Sequence, residues 1–219
     1  MRPLLKYCGN HSLADLQHVV KSNADYIGVV FAESKRRVTP LELFTWLAEV
    51  KLRPEQKLVG LFVNATFSEI ENVISKIPLD IIQCHGNETV SVVRELKEKL
   101  NLPIWKVIHH DEEAVQTMEQ YAPFVSAYVI DSKVKDQWGG TGQVFDWSHI
   151  PSYIDEGIHL NRPVFIAGGI NGENVHELVA YQPDGIDISS GIEEDGSKSS
   201  VKMTEIEKRI TEHEHNLSR

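Results

Sequence analysis

Two hydrophobic periodicities alternate along the chain. Short apolar runs rich in valine and isoleucine are each followed by a longer stretch with apolar residues at helical spacing. The predicted strands are residues 4–8, 26–31, 58–64, 81–85, 104–108, 127–131, 164–167 and 185–189. The predicted helices are residues 13–21, 41–51, 68–76, 90–100, 114–121, 147–154, 173–180 and 201–212. Candidate N-caps are Ser12, Thr39, Thr66 and Ser68, whose side-chain oxygens can accept from the unpaired N–H groups of a helix start.

Eight strand–helix pairs divide the 219 residues into units of about 27, near the lower size limit of a (β/α)8 barrel. The strands are apolar on both faces, which is typical of a parallel sheet covered by helices. We therefore predict an α/β protein, a single-domain (β/α)8 TIM barrel spanning residues 1–219. A doubly wound open sheet has the same alternation and remains the alternative.

Composition narrows the class of protein. Hydrophobic residues make up 41% of the chain and charged residues 25%, which is typical of a globular protein. No apolar run is long enough to cross a bilayer, and the first residues lack a signal-peptide core, so we expect a cytoplasmic protein. The net charge of −10 argues against nucleic-acid and anionic-membrane partners but permits a small anionic ligand. The two cysteines, Cys8 and Cys84, are expected to be reduced thiols.

Polar residues end several of the apolar runs, and sites form at the carboxyl ends of strands in either parallel architecture. Because successive strand residues face opposite sides, Cys8, His85, Asp131 and Ser189 are predicted near a barrel mouth. Cys84 is predicted to face the helices as a packing residue. Adjacent histidines also face opposite sides, so His109-His110 cannot both point inward, and we predict no metal site.

Glycine-rich segments follow the last three strands, where backbone N–H groups can approach a phosphate closely. They contain no Walker or dinucleotide-binding pattern. The residues predicted to bind phosphate are Gly140, Thr141, Gly142, Gly168, Gly169, Ser190 and Gly191. Arg36 belongs to a charge run after the second strand. That run is either a solvated loop or the source of a bidentate clamp on a substrate carboxylate, and both interpretations stay open at this point.

Taken together and in order, these motifs resemble the phosphoribosylanthranilate isomerase family along nearly the whole chain. The matching segments are Lys6-Tyr7-Cys8-Gly9, Ser34-Lys35-Arg36-Arg37-Val38, Val59-Gly60-Leu61-Phe62-Val63-Asn64, Ile82-Gln83-Cys84-His85-Gly86, Asp131, Gly139-Gly140-Thr141-Gly142 with Phe145-Asp146-Trp147, Ala167-Gly168-Gly169 and Asp187-Ile188-Ser189-Ser190-Gly191-Ile192-Glu193. The chain departs from the usual pattern at Asn10-His11, at Cys84 and at Trp138. None of these departures removes an implied catalytic group.

The resemblance implies an Amadori rearrangement in tryptophan biosynthesis, in which N-(5-phosphoribosyl)anthranilate becomes 1-(2-carboxyphenylamino)-1-deoxyribulose 5-phosphate. It implies Cys8 as general base, Asp131 as general acid and Arg36 as the anthranilate carboxylate clamp. His85 is expected to form a hydrogen-bonded wall of the site. No cofactor is implied, and the only expected partner is the anionic phosphosugar–anthranilate substrate. Family members occur as monomers and homodimers.

A thiol with an ordinary pKa of about 8.5 needs nearby positive charge to ionise at neutral pH, and Lys6 and Arg36 are the candidate sources. Asp187 is expected to bind Lys6 inside the barrel. Two other functions remain possible at this stage. One is a metal-dependent pentose-phosphate epimerase on the same fold, and the other is a barrel that binds ligands without catalysis.

Overall fold

The computed structural model describes residues 2–132 and 144–217. Eight parallel strands form a closed barrel in which each strand pairs with its neighbour in the chain and β1 pairs with β8. The predicted (β/α)8 barrel is confirmed, and the open-sheet alternative is wrong. The strands are β1 Leu4–Tyr7, β2 Tyr26–Val30, β3 Lys57–Phe62, β4 Ile81–Cys84, β5 Ile104–His109, β6 Ala127–Asp131, β7 Val164–Ile166 and β8 Gly185–Ile188.

One helix follows each strand of the barrel. No helix within the described ranges is long and apolar enough to span a membrane. The helices are α1 Leu13–Lys21, α2 Pro40–Glu49, α3 Phe67–Ile74, α4 Val90–Lys99, α5 Ala114–Tyr121, α6 Ile150–Leu160, α7 Val175–Val179 and α8 Ser200–Leu217.

The sixth helix differs most from its predicted bounds. The segment Trp147–His149 is a 3-10 turn, and α6 begins only at Ile150, with Pro151 in its first turn, where the missing N–H costs no helix bond. It ends where Asn161 takes a left-handed conformation with φ 54°. The hydrophobic periodicity therefore predicts a start for this helix that is about one turn too early.

Threonine caps fix the starts of two helices. Thr39 and Thr66 each accept the N–H of the glutamate three residues on, and Glu42 and Glu69 each accept in return from the cap residue. Ser12 caps α1 as predicted. Ser68, also a predicted cap, lies inside α3, because Thr66 completes the capping box two residues earlier.

We expect Thr66→Ala to lower the free energy of unfolding by about 1 kcal/mol, because the substitution leaves the Glu69 N–H without its side-chain acceptor. Ser68→Ala, at an exposed position in the first turn of the same helix, is the matched control and should change stability little. Chemical denaturation of both variants checks this. Equal losses for the two would contradict the assignment of the cap to Thr66.

Apolar residues early in the strands fill the barrel interior. The rings of Trp105 and Phe165 lie 4.6 Å apart between centroids, and those of Tyr26 and Trp105 lie 4.7 Å apart. Gly185 makes room for this aromatic cluster, since a Cβ there would overlap the Phe165 ring. The amino-terminal half of the barrel is thus packed solid, and the polar groups lie at the carboxyl ends.

A short antiparallel hairpin after β8 was not predicted. Its strands are β9 Glu193–Glu194 and β10 Ser197–Lys198. Asp195 and Gly196 form the turn with φ values of 50° and 82°, as a type I′ hairpin requires. The hairpin places two charged side chains at the barrel mouth.

Candidate active site

A cavity opens at the carboxyl ends of the strands. It brings together predicted site residues from six different strand ends and loops. The predicted residues that line it are Cys8, Arg36, His85, Asp131, Gly168, Gly169 and Ser190. In this fold, active sites form at the carboxyl ends of the strands, where residues from several strands and loops meet.

Cys8 follows β1 directly and points into the cavity. Its backbone N–H donates to the Ile188 carbonyl at 2.8 Å, which ties the end of β1 to β8. The side chain is only 6% exposed and packs against the apolar residues Val30 and Leu61. Gly28 leaves the space for it, because a Cβ at that position would lie 2.7 Å from the Cys8 Sγ.

The charges around Cys8 do not suffice to ionise it. Burial raises the pKa of the thiol, and the Asp187 carboxylate raises it further, while Lys6 and Lys198 act in the opposite direction. Lys6 itself stays charged: burial lowers its pKa, but the Asp187 carboxylate 2.7 Å away and the Cys8 side chain together raise it by more. The expected Lys6–Asp187 contact is present. Lys6 thus lowers the pKa of the thiol, as a candidate source of positive charge should, but desolvation outweighs this effect.

Asp131 is the last residue of β6 and is only 4% exposed. Its Oδ1 lies 3.5 Å from the Ser132 Oγ, and its Oδ2 lies 3.4 Å from the His85 Nε2 without the alignment of a hydrogen bond. Gly168, with φ 89°, passes so close that a Cβ would lie 2.8 Å from Oδ1. The loop after β7 thus closes one side of the carboxyl group.

His85 stands between this carboxyl group and Gln83. Its Nδ1 lies 3.4 Å from the Gln83 Nε2. Within residues 2–132 and 144–217, the buried His85 Nε2 and Asp187 Oδ1 have no hydrogen-bond partner. Both residues line the cavity, so a bound ligand can satisfy these atoms.

Arg36 is buried at the cavity wall, whereas its neighbour Arg37 is exposed. The Arg36 Nε donates to the Glu193 Oε1 at 2.6 Å, and Nη2 donates to Oε2 at 2.8 Å. Arg37 instead pairs with Glu33 on the outer surface at 2.8 Å. The solvated-loop interpretation therefore fits Arg37 and does not fit Arg36.

Two loops near the cavity can present N–H groups to an anion. Gly168 and Gly169 have φ values of 89° and 65°, the left-handed region that favours glycine. Ser190 begins the 3-10 turn Ser190–Ile192, whose first N–H groups have no acceptor within the turn. The two loops pack directly against each other at Gly191, where a Cβ would overlap the Ile170 carbonyl oxygen. Gly140, Thr141 and Gly142 lie outside the described residues.

The histidines do not assemble a metal site among the side chains that the structure describes. The His85 and His109 ring centroids lie 5.9 Å apart at the barrel mouth. His110 turns away: its ring stacks on Phe145, and its Nδ1 lies 2.7 Å from the Tyr153 hydroxyl. Adjacent positions on the strand thus face opposite sides, as predicted.

Two charged residues of the site were missed in the sequence. Glu193 contacts Arg36, and Lys198 contacts both Glu193 and the Cys8 carbonyl oxygen. Glu193 ends a segment that resembles the family, but no role was assigned to it, and Lys198 lies in the polar run that follows. The Asp195-Gly196 pair was the available signal, since Asp-Gly marks a tight hairpin.

The family model described as N-(5'phosphoribosyl)anthranilate (PRA) isomerase matches residues 5–209. A relative from Halalkalibacterium halodurans named N-(5'-phosphoribosyl)anthranilate isomerase is 52% identical over 219 residues, which is all of both chains. A relative of the same name from Geobacillus thermodenitrificans is 50% identical over 209 residues, 95% of this chain and 94% of that one.

The solved phosphoribosyl anthranilate isomerase from Thermotoga maritima superimposes with a TM-score of 0.82 at 29% identity, covering 96% of this chain and 99% of that one. A phosphoribosyl anthranilate isomerase solved in complex with reduced 1-(o-carboxyphenylamino)-1-deoxyribulose 5-phosphate has a TM-score of 0.80 at 28% identity with the same coverage. The barrel agrees with the fold of these solved relatives. The chain belongs to the N-(5'-phosphoribosyl)anthranilate isomerase family.

Proposed function

We propose that Cys8 is the general base and Asp131 the general acid with which this member of the family converts N-(5'-phosphoribosyl)anthranilate to 1-(2-carboxyphenylamino)-1-deoxyribulose 5-phosphate. One observation carries the proposal. A thiol, a carboxyl group, a guanidinium and two glycine-containing loops surround a single cavity at the barrel mouth. The reaction needs one group of each kind.

The first step opens the furanose ring of the substrate. Asp131 protonates the ring oxygen as the anomeric C–O bond breaks, and the nitrogen lone pair forms an iminium with carbon 1. The buried position of Asp131 at the end of β6 suits this step, since the cavity wall can hold the carboxyl group within reach of the leaving oxygen.

The second step removes a proton from carbon 2, and the C–H electrons form a C1–C2 double bond while the iminium nitrogen becomes neutral. Protonation of this enol at carbon 1 and loss of the proton on oxygen 2 then give the ketone and return both side chains to their starting protonation states. Burial raises the pKa of Cys8, so its thiolate is scarce in the free enzyme but strongly basic. The iminium formed in the first step brings a positive charge to the cavity. An opposite charge at close range favours the thiolate at the moment when it is needed.

Binding uses the remaining cavity wall. Val30, Ala32, Leu61 and Val63 form an apolar surface for the anthranilate ring, and Arg36 lies at the same end for the ring carboxylate. The loops after β7 and β8 hold the phosphate through backbone N–H groups. The solved relative with the reduced product analogue supports a ligand of this size and charge.

The assay is the loss of substrate fluorescence with freshly made N-(5'-phosphoribosyl)anthranilate. We expect turnover that is unchanged by a strong chelator, because the proposed chemistry uses only protein side chains. Absence of turnover would overturn the proposal and favour a barrel that binds ligands without catalysis. Turnover of a pentose phosphate that the chelator abolishes would instead favour the metal-dependent epimerase.

Arg36→Met should raise the KM for N-(5'-phosphoribosyl)anthranilate by roughly 10- to 100-fold, because it removes a charge-assisted contact with the carboxylate. The kcat should change little, since the contact is made in the ground state as well as in the transition state. Arg37→Met, at the exposed neighbour, is the matched control. Steady-state kinetics on both variants tests this. An unchanged KM for Arg36→Met would contradict the proposed contact between Arg36 and the substrate carboxylate.

A further inference from the structure

We propose that Glu193 is a positioning residue, which holds the Arg36 guanidinium so that one edge faces the substrate carboxylate, and that Lys198 anchors Glu193 to the strand ends that carry the site. The inference rests on the proposed function, and it adds to that function two residues that determine specificity for a carboxylated substrate. Neither residue contacts the reacting atoms in this scheme.

The geometry of the guanidinium carries the first part. Arginine has five N–H donors in one plane, and two of them, on Nε and Nη2, donate to the two oxygens of Glu193. This fork fixes the plane and rotation of the group. The edge formed by Nη1 and the second Nη2 hydrogen stays available, with no acceptor among the residues that the structure describes. A second carboxylate can bind that edge with the same two-bond geometry.

The aliphatic part of the Arg36 side chain is also closely packed. Gly9, with φ 75°, lies beneath it, and a Cβ at that position would lie 2.5 Å from the Arg36 Cδ and 2.9 Å from the Ser189 Oγ. Arg36 therefore lies directly over the junction of β1 and β8, next to Cys8. The guanidinium can therefore rotate little, because Glu193 binds it through two hydrogen bonds and Gly9 packs against the adjoining Cδ.

Lys198 anchors the carboxylate. Its side chain is 0% exposed, and its Nζ donates to the Glu193 Oε1 at 3.0 Å, to the Cys8 carbonyl at 2.6 Å and to the Ser189 carbonyl at 3.0 Å. Its backbone N–H donates to the Asp15 Oδ1 at 2.8 Å. One ammonium thus connects the base-bearing end of β1, the loop after β8 and the partner of Arg36.

The contacts of Glu193 determine its charge state, whereas burial lowers the pKa of Lys198 and the Glu193 carboxylate opposes that effect. Burial raises the pKa of Glu193, but hydrogen bonds and charge from Arg36 and Lys198 outweigh it and bring the pKa to about 2. Glu193 is therefore anionic wherever the enzyme works. Without it, two buried cations would face each other, and the arginine would lose its preferred orientation.

The test is a double-mutant cycle with two substrates. Glu193→Gln should raise the KM for N-(5'-phosphoribosyl)anthranilate about tenfold, the equivalent of one charged hydrogen bond, and leave kcat within about threefold. With N-(5'-phosphoribosyl)aniline, which lacks the carboxyl group, KM should match that of the wild type. In an Arg36→Met background the same substitution should change KM little, because both residues act on one contact.

Glu194→Gln, the exposed neighbour on the hairpin, is the matched control and should behave as wild type. Glu193→Asp keeps the charge with a shorter reach and should have an intermediate KM, which provides a second variant if Glu193→Gln folds poorly. An unchanged KM for Glu193→Gln beside a raised KM for Arg36→Met would overturn this inference alone. Equal losses on both substrates would show a structural role and overturn it as well. An unchanged KM for Arg36→Met would instead contradict the clamp itself.

Discussion

Cys8→Ser is expected to lower kcat by about 10²- to 10⁴-fold, the usual contribution of a general base. A serine hydroxyl is close in size to the thiol but is far too weak an acid to supply an anion at carbon 2. The cavity wall formed by Val30 and Leu61 should persist, so KM should stay within about threefold. The measurement is steady-state kinetics of the purified variant, with circular dichroism as a check on folding.

Cys84→Ser is the matched control, since Cys84 is the other buried thiol and packs among core residues outside the barrel. It should keep activity within about threefold, because no base role is lost there.

The pH dependence of the wild-type activity provides a further test of the base. Because burial raises the pKa of Cys8, the kcat/KM of the wild type should still increase with pH above neutrality, as the thiolate fraction grows. Turnover of Cys8→Ser within tenfold of the wild type would contradict the assigned base.

Asp131→Asn is expected to lower kcat to a similar extent, about 10²- to 10⁴-fold, because an amide cannot deliver a proton to the ring oxygen. Asparagine has nearly the same shape, so the Ser132 contact and the packing of Gly168 should remain. Affinity for the reduced product analogue should stay within about threefold of the wild type, since the group acts on the reaction more than on binding.

The matched control is Asp155→Asn, on the exposed face of α6. It tests whether the loss of any carboxylate alters activity. Retention of more than a tenth of the wild-type kcat by Asp131→Asn would contradict the acid role. A large loss of affinity for the reduced analogue together with kcat would show that Asp131 binds substrate instead of protonating it.

Strand parity was sufficient to predict which polar residues face the cavity. Cys8, His85 and Asp131 line the mouth, whereas Cys84 packs in the core, as the alternation of faces requires. The number and apolar character of the strands likewise predicted a parallel sheet covered by helices, and the family resemblance favoured the closed barrel over the open sheet. These properties are local or periodic, so a single sequence contains them.

Properties that depend on contacts across the barrel could not be predicted in the same way. The pKa of Cys8 results from a balance between burial and Lys6 that composition does not reveal. The Glu193–Arg36 pair joins residues 157 positions apart, and its hairpin resembles a solvated loop in sequence. The roles of Gly140, Thr141 and Gly142 stay predictions. So do the single-domain assignment of residues 1–219, the cytoplasmic location and the choice between monomer and homodimer.

The most direct test of the two-group mechanism is a crystal structure of this protein with reduced 1-(2-carboxyphenylamino)-1-deoxyribulose 5-phosphate. In that structure we expect the Cys8 Sγ at about 3–3.5 Å from carbon 2 of the ligand, the separation of a reacting pair. We also expect the Asp131 carboxyl group within hydrogen-bond reach of the former ring oxygen, on the other side of the sugar. A ligand whose sugar carbons contact neither side chain would contradict the mechanism.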